Sequence, residues 1–170
     1  MKKAIFITII CTLTLFSKGV DDAVYALDKK DYKKAFEIFS KYAKYKNSFA
    51  QFNLGMIYYD GLGKKKDINK AISFFDVSAK SGNLEAQNML GYIYFYGKRV
   101  SKDYKKALFW YEKASLQEDS LAQFYVGQIY LLALGVKKDI EKAKIMFEKS
   151  CENGYEKSCL ERDKLDGTVN

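Results

Sequence analysis

Hydrophobic side chains recur along this chain on two scales: at the spacing of one helix face, and again every 36 residues in columns of like residues. The short period is clearest between Ala50 and Asn83. Ala50, Leu54, Ile57 and Tyr58 share a face and predict a helix over about Phe49 to Tyr59, which Gly61-Leu62-Gly63 then breaks. Asp67 stands as N-cap of a second helix whose buried side carries Ile68, Ala71, Ile72, Phe74, Phe75 and Ala79. Ser81-Gly82-Asn83 ends that helix. Each unit therefore predicts a helical hairpin.

The long period repeats this design. A second hairpin reads Ala86, Leu90-Gly91, Tyr94, Gly97, Asp103, Lys106-Ala107 and Trp110-Tyr111. A third reads Ala122, Gly127, Tyr130, Gly135-Val136, Asp139, Lys142-Ala143 and Met146-Phe147. Asp31, Asp67, Asp103 and Asp139 form a cap column, and Phe39, Phe75, Tyr111 and Phe147 an aromatic column suited to inter-repeat core. Gly55, Gly91 and Gly127 recur inside the first helices, where a glycine costs about 1 kcal/mol of helix propensity, so close approach of another helix is expected there. The pattern predicts an all-α solenoid of antiparallel helix pairs. Its parts are a half-repeat or cap over 21–48, repeats over 49–84, 85–120 and 121–154, and a C-terminal cap over 155–170.

Composition narrows the picture. With 170 residues, 48% of them apolar, and no proline-rich or low-complexity linker, 20–170 reads as a single domain. Residues 1–19 resemble a secretory signal peptide: Lys2 and Lys3, an uncharged stretch from Ala4 to Phe16, and Ser17-Lys18-Gly19 before Val20-Asp21-Asp22. That stretch is shorter than the roughly 18 apolar residues a membrane span needs, although an uncleaved anchor or a buried helix is the alternative. Cys11 follows Ile9-Ile10 and lacks the small residue a lipoprotein signal wants. Cleavage implies a periplasmic or secreted protein with no stable membrane insertion, and we expect a monomer. It removes three lysines, lowering the formal charge from +8 to +5, and leaves two cysteines, Cys151 and Cys159. In an oxidising compartment that pair reads as a disulfide, with two free thiols as the alternative. The lysine clusters Lys29-Lys30, Lys64-Lys65-Lys66 and Lys137-Lys138 fall in turns or at helix starts and read as solvated, not as a nucleic-acid stripe.

Ala-x3-Leu-Gly-x2-Tyr, a Gly-rich turn, Asp-x2-Lys-Ala and an aromatic pair, recurring from about Asp31 to Ser150, resemble the Sel1-like repeat, a tetratricopeptide relative with a longer inter-helix turn. The resemblance implies a right-handed superhelical solenoid that binds a protein or peptide on the concave face of its first helices. By likeness to tetratricopeptide grooves, that face would be reached from Phe52, Met56 and Tyr59, from Asn88, Tyr92 and Phe95, and from Phe124, Gln128 and Leu131. The spacing Cys151-x7-Cys159 is similar to that of the cysteine-rich Sel1-like proteins secreted by epsilon-class proteobacteria, where such a pair ties a second helix to the next first helix. Here only the last junction has it, since Ala79 and Ser115 occupy the positions equivalent to Cys151.

Catalytic candidates are few. The chain has no histidine, which removes Ser-His-Asp and Cys-His systems and the commonest metal ligand. Related proteins often carry penicillin-binding or beta-lactamase labels, but neither Ser-x-x-Lys nor Lys-Thr-Gly occurs. Glu85, Glu112 and Glu148 are scattered over helix surfaces, and Gly61-Leu62-Gly63 lacks the context of a phosphate loop. No catalytic residue, metal or cofactor is expected. The expected role is an exported, non-enzymatic adaptor; a cell-wall enzyme or binder and an immunity or regulatory protein are the alternatives.

Overall fold

A computed structural model of the chain describes residues 19–167. The expected leader lies outside them except for Gly19, and Cys11 lies outside them too. Helix α1 covers 19–28. It is followed by α2 (Tyr32–Lys44), α3 (Ser48–Asp60), α4 (Ile68–Lys80), α5 (Leu84–Tyr96), α6 (Tyr104–Ser115), α7 (Ser120–Leu131), α8 (Ile140–Glu152) and α9 (Glu156–Leu165). No strand occurs among the described residues. They form two compact units, one ending at Ser81 and the other starting at Gly82. In the first, α3 packs on α2 and α4; in the second, α5 through α8 each pack on the next helix along the chain.

The aspartate column starts the second helices. Asp31, Asp67, Asp103 and Asp139 each accept, through Oδ1, the backbone N–H three residues on, at 2.9–3.1 Å. A second cap column, Asn47, Asn83 and Asp119, starts the first helices at 2.8 Å each. Both columns satisfy amides that a helix N-terminus cannot pair internally. The long turn inside each hairpin is held the same way three times: the backbone N–H groups of Asp67, Asp103 and Asp139 donate to the carbonyls of Tyr58, Tyr94 and Tyr130 at 2.9–3.1 Å. The α1–α2 connection is shorter, with Asp31 N donating to Ala26 O at 2.8 Å. This is why the repeat lattice fails upstream of Asp31 even though α1 buries Ala23 and Ala26 against Ala35 and Phe39.

The glycine column meets the aromatic column inside each hairpin. A methyl group placed on Gly91 would sit 2.6 Å from Tyr111 Cε1, and one on Gly127 2.7 Å from Phe147 Cε1; Gly55 meets Phe75 likewise. What approaches each first helix is the ring of its own second helix. Phe39, Phe75, Tyr111 and Phe147 are in consequence almost wholly buried.

Tyrosine and lysine recur together for a related reason. Lys70, Lys106 and Lys142 place Nζ 5.2, 5.1 and 4.1 Å from the ring centroids of Tyr58, Tyr94 and Tyr130. A cation over a ring stabilises by about 0.5–1 kcal/mol at exposed sites. Each pair ties the start of a second helix to the end of the first.

Candidate functional site

The first helices α3, α5 and α7 carry only two charges, Asp60 and Glu85, among their exposed and half-buried residues. Most surface helices show water a charged face. These show aromatic rings and amides instead.

In the first unit, Phe52, Met56 and Tyr59 are half-buried on α3. The rings of Phe52 and Tyr59 lean on Phe75, at 5.7 and 6.3 Å between centroids. In the second unit the expected residues divide. Phe124 is core, packed against Phe147 and Tyr155 at 5.7 and 5.0 Å. Leu131 packs on the same cluster. Tyr92 stays 36% exposed, with half-buried Asn88 and Phe95 beside it on α5 and half-buried Gln128 on α7. The Asn88 Oδ1 atom is buried with no hydrogen-bond partner.

Around Tyr92 lies a cluster larger than the sequence suggests. Tyr96, 41% exposed, lies 5.0 Å from the Tyr92 ring, and its hydroxyl is 2.8 Å from that of Tyr125. Tyr125 stacks on Tyr111 at 4.7 Å, and Phe95 touches Tyr96, Tyr104, Tyr111 and Tyr125. Burial pushes the Tyr111 and Tyr125 hydroxyls above the usual phenol range, and the hydrogen bond with Tyr96 adds to the effect at Tyr125. Both stay protonated near neutral pH. The cluster offers hydroxyl donors and ring faces, not a phenolate nucleophile.

One other polar cluster has several members. Tyr130 donates to Glu112 Oε1 at 3.1 Å, while Lys142 Nζ lies 2.7 Å from the Tyr130 hydroxyl and 3.5 Å from Glu112. Its hydrogen bond to Tyr130 raises the Lys142 pKa above the ordinary lysine value. A raised pKa works against the neutral amine that a general base or a Schiff-base nucleophile needs. Among the described residues no group of three or more Cys, Asp or Glu could hold a metal ion, and no helix is long and apolar enough to cross a membrane.

At the C-terminal end the sulfurs of Cys151 and Cys159 are adjacent, with Cα atoms 4.8 Å apart. Beside them the buried hydroxyls of Ser150 and Ser158 lie 2.6 Å apart, and Ser150 also donates to Ser120 O.

A column that sequence reasoning passed over is Gln51, Gln87 and Gln123, each less than a tenth exposed on a first helix. Its 36-residue spacing was the available signal. Tyr96 and Tyr125 left no such trace, since their columns read Asp60, Tyr96, Leu132 and Asn53, Met89, Tyr125.

Comparison with known proteins agrees with this architecture. The Sel1 repeat profile matches residues 26–44, 48–83, 84–119 and 120–155. No curated protein matches the chain. Among solved structures, a Sel1 repeat protein from Oxalobacter formigenes is 33% identical with a TM-score of 0.77, over 88% of this chain and 62% of its own. The protective antigen c5321 of uropathogenic Escherichia coli strains, with an SLR fold, is 31% identical with a TM-score of 0.69, over 80% of this chain and 29% of its own. Cysteine rich protein B of Helicobacter pylori is 27% identical with a TM-score of 0.58, over 77% of this chain and 94% of its own. The chain thus spans less than two thirds of the first two.

Proposed function

The chain belongs to the Sel1 repeat family, and from that premise we propose that it is a non-catalytic scaffold that binds a segment of a partner protein through the first-helix face of α5 and α7. Sel1 repeats are protein-interaction scaffolds. The observation that carries the proposal is the near absence of charge on α3, α5 and α7, combined with exposed Tyr92 and Tyr96 on a rigid aromatic base. Tyrosines presented with little rotamer freedom provide contact area and a hydroxyl at low entropic cost, the pattern of binding hot spots. The partner segment that fits has apolar side chains to lay on the rings and backbone amides for the hydroxyls.

The leader-like residues 1–19 support export to the periplasm or beyond. The likeness to Helicobacter pylori cysteine rich protein B and the adjacent sulfurs support a Cys151–Cys159 disulfide. Intact mass with and without reduction before alkylation tests the bridge, and an alkylated dithiol without reductant would refute it.

A photoreactive phenylalanine analogue at Tyr92 should capture one partner in the native cell envelope. The same analogue at Lys157, exposed on α9, should not. Hydrolysis of a chromogenic beta-lactam abolished by one side-chain change would overturn the scaffold reading in favour of an enzyme. Saturable binding of cell-wall glycan fragments at Tyr92 would replace the protein partner with a carbohydrate.

A further inference from the structure

In two of the three full hairpins, a buried glutamine of the first helix is completed by a carboxamide just beyond the second. Gln87 Oε1 accepts from Gln117 Nε2 at 2.8 Å, and Gln123 Oε1 accepts from Asn153 Nδ2 at 3.0 Å. Each donor also reaches a backbone carbonyl, that of Gly82 at 3.2 Å and of Glu118 at 3.1 Å. Thus one –NH2 group bridges two acceptors, twice, at equivalent places.

Gln51 stands in the same column and is 6% exposed. Its Nε2 donates to Ala43 O at 3.4 Å, but its Oε1 is buried with no partner. The cause is one residue. Where Gln117 and Asn153 supply the donor, the equivalent position holds Ser81, whose hydroxyl is too short to reach and donates instead to Val77 O at 3.1 Å. The second acceptor is in place: Lys46 occupies the column of Gly82 and Glu118 and shares their left-handed backbone, with φ of 59° against 88° and 62°. A buried acceptor without a donor is costly and rare in folded proteins.

Gln51 also helps to floor a groove of about 420 Å³ between α2 and α4, with Leu54 beside it and Ala43, Phe74 and Val77 along its sides. We propose that this place binds the primary carboxamide of an Asn or Gln side chain from a partner polypeptide. One N–H goes to Gln51 Oε1 and the other to the Lys46 carbonyl, while the apolar stem lies along Phe74 and Val77. The chain's own hairpins show the group that fits. A carboxylate has no proton to give, a tertiary amide has no N–H, and Lys44 at the groove disfavours a cation. Gln51 and Leu54 lie on the side of α3 opposite Phe52, Met56 and Tyr59, so this site and the first-helix face can fail separately.

The test is titration of the full-length ¹⁵N-labelled chain with isobutyramide, isobutyrate and N,N-dimethylisobutyramide, followed by NMR. Isobutyramide alone should shift the Gln51 side-chain amide and the Lys46 and Val77 backbone amides saturably. Ser81→Gln should supply the missing donor in cis, melt above Ser81→Ala, and lose the response that Ser81→Ala keeps. Equal response to all three probes, no response to isobutyramide, or a response that persists in Ser81→Gln would overturn the proposal.

Discussion

At the residue scale, the recurring side chains work in coupled pairs, and substitution exposes the coupling. Gly91→Ala gains helix propensity of about 1 kcal/mol but drives a methyl group into the Tyr111 ring, and overpacking typically costs about 1–3 kcal/mol. Because Tyr111 is itself clamped by Tyr125 and Phe95, the ring cannot yield, and the net effect is destabilisation. Urea unfolding should show a loss of about 1–2 kcal/mol. Adding Tyr111→Leu should cost less in the Gly91→Ala background than in the parent chain. The cap column carries a pH signature. The Lys106 backbone N–H, ahead of the Lys106 side chain, holds the Asp103 carboxyl below the usual carboxylate range, and Lys70 does the same for Asp67. A depressed folded value means that the stabilisation is complete above the unfolded value, near pH 4, and is lost as pH falls through the folded value. Asp103→Asn keeps the accepting oxygen without the titration, so the difference in Tm between parent and variant should shrink between about pH 6 and about pH 2. Both columns are legible in the sequence because they repeat. The Tyr96–Tyr125 contact is not, because each tyrosine departs from its column and only the meeting of their side chains across α5 and α7 unites them.

At the element scale, the turns after the second helices show a local conflict that the fold overrides. Gly82 and Gly154 take φ of 88° and 90°, and Glu118, at the same place in the middle hairpin, takes 62°. A residue with a Cβ held there is strained by about 1 kcal/mol. Glu118→Gly should raise stability by about 0.5–1 kcal/mol in thermal unfolding. Gly82→Ala should lower it although nothing lies within 4 Å of the added methyl, which isolates the backbone term from any clash. The last helix is the converse case. α9 has no side-chain N-cap and packs mainly on α8, with support from the Ser150–Ser158 hydroxyl pair and the Lys144–Asp166 ion pair. Reducing the proposed Cys151–Cys159 bridge should speed amide exchange across Glu156–Leu165 while leaving α5 protected; uniform loss of protection would refute a local role. Helix starts and glycine turns are readable from sequence at this scale because caps are chemically specific. The short α1–α2 turn is not, since it departs from the turn length that the three full hairpins share.

At the scale of the molecule, charge is sorted by helix type, which sets what the proposed partner segment would meet. The first helices α3, α5 and α7 are almost uncharged, while α2, α4, α6 and α8 carry lysines, several of them engaged with aromatic rings or with the capping aspartates. A formal net charge of +8 would by itself suggest attraction to acidic partners. The sorting argues otherwise: a segment laid on α5 and α7 meets rings and amides and displaces few counterions. Affinity for the partner captured at Tyr92 should therefore change by no more than about threefold between about 0.1 and 0.5 M salt. Tyr92→Ser or Tyr96→Ser should each weaken binding by about tenfold or more, as expected for aromatic anchors near the centre of an interface. If affinity instead falls steeply with salt and survives both substitutions, the lysine-bearing second helices are the binding surface and the tyrosine cluster serves the fold alone.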